Sequence, residues 1–166
     1  MGEKYILKIL VFSDSHSRLN KIAEAIELHK GKLDAIIFCG DGIRDIEEIR
    51  KKYFNIPFFI VKGNCDHFCD DYSDELLVSL GEITVLVTHG HKYGVKSSLS
   101  ALLLNAKAKG ADAVIFGHTH IPYDNIHDVG DTRIHAFNPG SIGAFSSTFG
   151  VLNTSGRVLV TGIGKL

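Results

Sequence analysis

The sequence predicts an α/β protein in which two β-sheets are stacked, and three observations support this fold class. Strand-like apolar runs and amphipathic helical patterns alternate from residue 6 to residue 61, an order typical of a parallel sheet with helices on its faces. After residue 113 the chain alternates short strands with turns, which indicates a second sheet. Polar side chains that can bind a metal follow the ends of five strands. We expect residues 1–166 to form one domain.

The first half of the chain contains three predicted strands and two predicted helices. In order they are strand Ile6–Phe12, helix Leu19–His29, a strand that begins at Asp34, helix Arg44–Tyr53 and strand Phe58–Val61. Each strand is a short apolar run, and each helix places isoleucines on one face at helical spacing. Ligands of such sheets bind beyond the carboxyl ends of the strands, so we expect a site at that edge.

The second half begins with a predicted hairpin, in which Gly81-Glu82 joins strand Leu76–Leu80 to strand Ile83–Thr88. Helix Ser97–Lys109 and strand Ala113–Phe116 follow. The remaining predicted strands are Tyr123–Asp128, Thr132–Phe137, Phe149–Thr154 and Arg157–Gly162. We expect this back half to form an antiparallel sheet that packs on the first sheet.

The composition argues against several classes of protein. With 18 basic and 19 acidic residues the net charge is −1, so no general basic field favours nucleic acid. The longest apolar runs are only strand-sized, so we expect no membrane span. The N-terminus lacks the pattern of a signal peptide, and three cysteines do not form a disulfide framework. These features predict a cytoplasmic protein.

The candidate site residues are oxygen and nitrogen donors at the ends of five strands. They are Asp14 and His16, Asp41, Asn64, His89 with His91 nearby, and His118 and His120. Any one of them could be a turn carboxylate that caps a helix or a surface histidine. Their repetition at successive strand ends favours one shared site. These donors suit Mn, Fe, Zn or Ni, and the lack of paired cysteine ligands argues against a structural zinc site.

Two local expectations follow for the backbone at these strand ends. Asp14 and His16 are one residue apart, so an extended backbone would place both side chains on the same face. A glycine precedes Asp41, Asn64 and His118, and we expect it to let the chain turn sharply as it leaves the strand.

The ordered motifs resemble those of the calcineurin-like metallophosphoesterase family. They are Asp14-Ser15-His16, Gly40-Asp41, Gly63-Asn64, Thr88-His89-Gly90-His91 and Gly117-His118-Thr119-His120. Asn138-Pro139-Gly140-Ser141 adds a match to the family's small bacterial and archaeal phosphodiesterase branch. The resemblance extends from Ile9 to about Gly162 and implies a four-layer α/β/β/α sandwich of two mixed sheets.

The resemblance also implies a binuclear metal site that hydrolyses phosphodiesters. Asp14, His16 and His120 would hold one divalent ion, Asn64, His89 and His118 would hold the second, and Asp41 would bridge them. Asp41, Asn64 and His89 would form the catalytic centre, where a metal-bridging hydroxide attacks phosphorus. The family's usage favours Mn, with Fe, Ni or Zn as alternatives. No ligand role is carried over to His91.

Two departures from the family pattern bear on catalysis. Cys65 occupies a position where many members have a histidine that protonates the leaving group, and a thiol is a poor acid near pH 7. We therefore expect better activity on activated aryl diesters, with His67 as a candidate substitute acid. Relatives often have an arginine after the Asn-Pro-Gly-Ser motif, whereas residues 142–145 offer no cation. We expect backbone N–H groups and metals to contact the substrate phosphate instead.

Other functions remain open at this point. A eukaryotic retromer subunit of the same fold acts mainly as a protein-interaction scaffold, but every ligand position that can be matched is filled here. Balanced charge weakens a nuclease, and a Cys65 nucleophile lacks a clear base. We expect a small phosphodiester substrate, no clear nucleic-acid binding, and edge strands through which copies of the chain could pair as a homo-oligomer.

Overall fold

The computed structural model describes residues 6–29, 31 and 33–166. All ten predicted strands and three predicted helices are present, with ends shifted by at most a few residues. The strands are β1 Leu7–Phe12, β2 Ala35–Phe38, β3 Phe58–Ile60, β4 Glu75–Leu80, β5 Ile83–Thr88, β6 Ala113–Ile115, β7 Tyr123–Val129, β8 Thr132–Asn138, β9 Thr148–Ser155 and β10 Val158–Lys165. The α-helices are α1 Leu19–Leu28, α2 Ile43–Lys52 and α3 Ser100–Ala108. A short 3₁₀-helix, His91–Tyr93, follows β5 and was not expected.

The first sheet has the strand order β10-β9-β1-β2-β3. Strands β1, β2 and β3 are parallel, as their β-α-β-α-β order predicts. The C-terminal hairpin of β9 and β10 completes this sheet, because β9 pairs antiparallel with β1 along its other edge. The first sheet is therefore mixed.

The second sheet has the order β4-β5-β6-β8-β7 and is also mixed. Strands β5, β6 and β8 are parallel, and β4 and β7 are antiparallel edge strands. The expectation of an antiparallel back half is therefore wrong in two respects. The α3 crossover between β5 and β6 imposes parallel pairing, since an antiparallel pair needs no helix between its strands. In addition, β9 and β10 belong to the first sheet and not to the second.

Three apolar clusters fill the spaces between the layers. The side chains of β1 alternate between two of these clusters. Ile9 and Val11 point into the core between the two sheets, whereas Leu10 and Phe12 point into the core beneath α1 and α2. A third core, which includes Leu102, lies between the second sheet and α3. Full burial of each such side chain contributes about 1.5–3 kcal/mol. The layer order confirms the α/β/β/α sandwich.

Within residues 6–29, 31 and 33–166, no helix is long and apolar enough to cross a membrane.

Candidate metal centre

Among the described residues, most of the left-handed backbone outside glycine lies in the loops that follow the strands. Seven described non-glycine residues have positive φ, and five of them are predicted metal ligands. These five are Asp14 (φ 55°), His16 (φ 43°), Asp41 (φ 61°), His118 (φ 67°) and His120 (φ 60°). The expectation of an extended backbone between Asp14 and His16 is therefore wrong. Such conformations cost about 1–3 kcal/mol each and persist only where surrounding contacts enforce them, as at functional sites.

The glycines before three of the ligands have two different roles. Gly40 has φ +90°, so it gives the sharp turn that we expected before Asp41. Gly63 and Gly117 have no left-handed φ; they are required by close packing. A Cβ on Gly63 would lie 2.1 Å from Asp41 Oδ1, and one on Gly117 would lie 1.9 Å from Ser13 Oγ. Side chains at these two positions would displace the ligand loops.

One carboxylate that the sequence interpretation overlooked holds two of these loops together. Asp66 accepts hydrogen bonds from the backbone N–H groups of Asp41, Gly42, Ile43 and Gly63, at 2.7–2.9 Å. It thereby fixes the backbone of one predicted ligand and caps the start of α2, whose first N–H groups have no partner within the helix. A short acidic side chain two residues after Asn64 is the local signal that could have indicated this role.

The motif from Asn138 to Ser141 joins loops of the site to one another through hydrogen bonds. The amide of Asn138 donates to Gly117 O at 2.9 Å, and the hydroxyl of Ser141 donates to Asp14 O at 2.8 Å. The N–H groups of Ile142 and Gly143 donate to Ser13 O and Asp14 O, both at 3.1 Å. Those two N–H groups are therefore not free to contact a substrate phosphate.

The first group of predicted ligands is Asp14, His16 and His120. Asp14 Oδ1 lies 3.0 Å from His120 Nε2 and 3.9 Å from His16 Nε2, and the two imidazole nitrogens are 3.4 Å apart. The other carboxylate oxygen of Asp14 accepts hydrogen bonds from the hydroxyl of Ser13 and the N–H of His118. Asp14 is fully buried, yet its Oδ1 has no hydrogen-bond partner among the described residues. A buried acceptor without a donor is the arrangement that a bound cation would satisfy.

The second group is Asn64, His89 and His118, with Asp41 beside them. His89 Nδ1 lies 2.6 Å from Cys39 O, and because a carbonyl only accepts, this nitrogen carries the proton. The opposite nitrogen, Nε2, lies 3.1 Å from Asn64 Oδ1, 3.2 Å from His118 Nδ1 and 3.4 Å from Asp41 Oδ2. Such a backbone partner is the usual means of orienting a histidine ligand.

The two groups adjoin, with His89 and Asp41 close to both. His89 Nε2 lies 4.0 Å from Asp14 Oδ1 of the first group. Asp41 can share a site with His89 and His118 on one side and with His16 and Cys65 on the other, since the ligand atoms of each trio lie within 4.8 Å of one another. The structure thus brings together all seven residues that the family resemblance implies as metal ligands.

Burial and neighbouring charges set the protonation of the site. Burial raises the pKa of Asp41, but hydrogen bonds from His89 and from the Cys65 N–H outweigh it and hold the pKa well below its usual range. Burial and the charge of His89 lower the pKa of His118 to about 4. Burial also lowers the pKa of His89, but the bond to Asp41 and the charges of Asp14 and Asp41 reverse this, so the pKa is raised overall. Asp41 is ionised and His118 is neutral near pH 7, as metal ligands must be.

The residues present fit divalent cations. The donor set consists of carboxylate and amide oxygens and imidazole nitrogens, which suit Mn, Fe, Zn or Ni. Asp14 Oδ1 has no hydrogen-bond partner among the described residues, and the oxygens of Asp41 and Asn64 lie close to His89 Nε2. These acceptor atoms are the kind that a bound cation would satisfy.

The structure also places four residues that are not among the seven predicted ligands. The ring of His91 lies 5.4 Å from that of His89, and its buried Nδ1 has no partner in the described part of the chain. Cys65 as a residue is exposed. Partial burial of its thiol, together with the hydrogen bond and charge of nearby Asp41, raises the pKa of the thiol to about 11. His67 lines a cavity beside His16 and Asp41. Cys39 is fully buried in the core between the sheets, as expected for a packing residue.

Comparison with known proteins places this geometry in a family. The model of the calcineurin-like phosphoesterase superfamily domain matches residues 7–157. The chain is 37% identical over 137 residues to the probable metallophosphoesterase YsnB of Bacillus subtilis, an alignment that covers 82% of this chain and 75% of that protein. It is 26% identical over 166 residues to the phosphodiesterase MJ0936 of Methanocaldococcus jannaschii, covering 89% of this chain and 93% of the relative.

The same fold is found in a protein with much lower sequence identity to this chain. Vps29 of Chaetomium thermophilum superimposes with a TM-score of 0.73, and the alignment covers 99% of this chain and 97% of that one. Sequence identity in this pair is 18%, so the likeness concerns the fold alone.

Proposed function

The chain belongs to the calcineurin-like phosphoesterase superfamily, and from this premise we propose that it is a phosphodiesterase with a two-cation site. Membership makes it a metal-dependent phosphoesterase. The observation that carries the finer proposal is the pair of adjoining ligand groups that meet near Asp41 and His89. A single group would indicate one cation.

In this proposal, each cation has its own ligands and shares one carboxylate. Asp14, His16 and His120 would hold the first cation, Asn64, His89 and His118 would hold the second, and Asp41 would be shared by both. The ionised carboxylate of Asp41 offsets the repulsion between two positive charges, which its lowered pKa favours. When bound, the cations supply an activated water and stabilise the negative charge that develops on the phosphate.

The protein's own residues then determine position and proton transfer. The bond from His89 to Cys39 O keeps Nε2 aimed at the site, and the buried Asp14 is held by Ser13 and by the N–H of His118. The Cys65 thiol, beside the carboxylates of Asp41 and Asp66, has a pKa of about 11. It is therefore a poor nucleophile and a poor proton donor near pH 7. Leaving groups that need no proton, such as aryl oxides, are therefore favoured over alkoxides.

His67 is the candidate that could replace the missing acid. It lines the cavity next to His16 and Asp41, which places it within the same depression as the reacting centre. If His67 protonates the leaving group, His67→Ala slows hydrolysis of an alkyl diester much more than that of an aryl diester. Unchanged turnover of the alkyl diester would remove His67 from the mechanism.

We propose Mn as the native metal, with Fe, Ni or Zn as the alternatives that the same donor set accepts. The proposed substrate is a small phosphodiester. The three cysteines are unpaired, which supports the proposal of a cytoplasmic, reducing environment. The edge strands β4 and β7 could support pairing between copies of the chain.

The alternative is a scaffold that uses this fold for protein interaction without catalysis. The likeness to Vps29 concerns the fold and gives this alternative no support at the site. A scaffold needs neither seven aligned ligands nor left-handed backbone at five of them. The enzyme proposal explains both features.

Hydrolysis of bis(p-nitrophenyl) phosphate tests the proposal. We expect Mn-dependent turnover by the wild type and a loss of at least about 100-fold in Asp41→Asn, because the shared charge is removed. Protein that stays inert with each of Mn, Fe, Ni and Zn, while folded, would favour the scaffold.

A further inference from the structure

An open cavity of about 380 Å³ adjoins the metal centre. His16 and Asp41 line it on the side of the metal centre, and Arg44, His67 and Phe68 complete its wall. The cavity is therefore continuous with the place where a phosphodiester would react. It is large enough for one ester half of a substrate.

The acidic residues of this wall are already occupied by the protein itself. Asp66 accepts four backbone N–H groups, and Asp45 accepts the hydroxyl of Ser15 and the N–H of Ser17. Asp41 accepts the N–H of Cys65 and faces the ligand group. These carboxylates thus already accept hydrogen bonds from within the protein. The N–H groups of Gly42 and Ile43 at the start of α2 donate to Asp66, so these two are not free to bind an anion.

Arg44 is the cation of this wall that has no partner. It lies in the first turn of α2 and is exposed. Within the described residues its guanidinium makes no hydrogen bond and no ion pair. Arg50, two turns later on the same helix, instead lies 3.5 Å from Glu47. Phe68 adds an apolar ring to the cavity wall, and this residue is 97% exposed.

The charge of Arg44 acts on the outer loop of the cavity. Burial and the charge of Asp66 raise the pKa of the Cys69 thiol, and the charge of Arg44 opposes them. The guanidinium thus stands near the loop that holds His67 and Phe68. It is placed to bind a group attached to the substrate, next to the reacting phosphate.

We propose that this cavity binds one ester half of the substrate and that Arg44 pairs with a second phosphate on that half. This inference rests on the proposed diesterase function and names its substrate class: diesters in which one esterified alcohol carries a further phosphate. Guanidinium binds phosphate through two parallel hydrogen bonds, a geometry that lysine lacks. The exposed ring of Phe68 contacts the organic part of the same half.

Two chromogenic esters that differ only in the second phosphate test the proposal. Thymidine 5′-(p-nitrophenyl phosphate) lacks it, and its 3′-phosphorylated analogue has it; both release p-nitrophenol. With wild-type protein and Mn, we expect KM to be about tenfold lower for the 3′-phosphorylated ester. In Arg44→Ala, the ratio of the two KM values falls to about one. Arg50→Ala, the matched control, keeps the wild-type ratio because its exposed ion pair lies elsewhere on the helix.

A binding measurement makes the result independent of turnover. Calorimetry compares thymidine 3′,5′-bisphosphate with thymidine 5′-phosphate, and we expect the bisphosphate to bind about tenfold more tightly to wild type but not to Arg44→Ala. Equal affinities in the wild type, or a preference that survives Arg44→Ala, would overturn the proposal. An equal rise in KM for both esters in Arg44→Ala would assign Arg44 to the reacting phosphate and would also overturn it. If neither ester is hydrolysed but the binding preference is seen, the proposed enzyme function fails and the anion site stands.

Discussion

The imidazole of His89 and the backbone carbonyl of Cys39 form a 2.6 Å hydrogen bond that joins the two sheets at the site. His89 follows β5 of the second sheet, and Cys39 follows β2 of the first. The bond fixes which nitrogen of His89 is protonated, so the other nitrogen faces Asp41, Asn64 and His118. Sheet packing and the protonation of the metal centre are therefore linked through one contact.

Removal of the His89 imidazole tests its proposed role as a ligand. We expect His89→Ala to bind one cation fewer and to lose more activity than the 10–100-fold typical of changes that only reorient a ligand. The measurements are metal content and turnover of an aryl diester. His127→Ala is the control, because that imidazole pairs with Tyr123 away from the ligand groups. A His89→Ala protein with the wild-type metal content would contradict the assignment.

Asp66 should stabilise the fold as well as the site. Asp66→Ala leaves four backbone N–H groups without their acceptor, and we expect a loss of about 2–4 kcal/mol in the free energy of unfolding, together with lower activity. Urea unfolding measures the first effect. Asp70→Ala, on the same loop but with a 96% exposed side chain, should change stability by less than about 0.5 kcal/mol. Similar values for both variants would refute the loop-holding role.

The missing leaving-group acid can be supplied by mutation. We expect Cys65→His to raise the turnover of an alkyl diester relative to an aryl diester by about 10–100-fold, because imidazolium is a far better acid near pH 7 than a thiol whose pKa is about 11. Cys69→His, four residues later, is the control and should leave that ratio unchanged. An equal change in both substrates after Cys65→His would argue that protonation does not limit the alkyl reaction.

Metal affinity should fall as the pH falls through the neutral range. The pKa of His89 is raised, so below that pKa the metal-free protein holds a proton that a cation must displace. Asp41 has a lowered pKa and is already ionised, and His118, with a pKa of about 4, is already neutral; neither competes above pH 6. Calorimetric titration with Mn at pH 6, 7 and 8, in buffers of different ionisation enthalpy, should show weaker binding and greater proton release at pH 6. Equal affinity and no proton release across this range would show that His89 is not a ligand.

The sequence could place the candidate ligands at one sheet edge because each of them follows a strand that is visible as an apolar run. The run Ile9–Phe12 ends at Ser13, and Asp14 follows at once, so the position of this carboxylate at a sheet edge needs only local information. The pairing of Leu7 with Thr154 joins the two ends of the chain, and no local pattern indicates it. For this reason the composition of the second sheet was predicted wrongly.

The hydrogen bonds of Asp66 and the place of Arg44 in the cavity wall could not be predicted from the sequence either. Both appear as ordinary polar residues of a loop and a helix. Their positions depend on how the loops fold, through left-handed backbone at Asp14, Asp41 and His118 that no local sequence pattern specifies. We expected backbone N–H groups after the Asn-Pro-Gly-Ser motif to contact the substrate phosphate, but those of Ile142 and Gly143 donate to Ser13 O and Asp14 O.

Metal content is the most direct test of the two-cation site. Purified protein, loaded with Mn and freed of excess, should contain about two metal ions per chain in the wild type and fewer in Asp41→Asn, with turnover of bis(p-nitrophenyl) phosphate falling in parallel. The matched variant Asp124→Asn, whose carboxylate pairs with His135 outside the ligand groups, should keep both ions. One ion or none in the folded wild type would contradict the account.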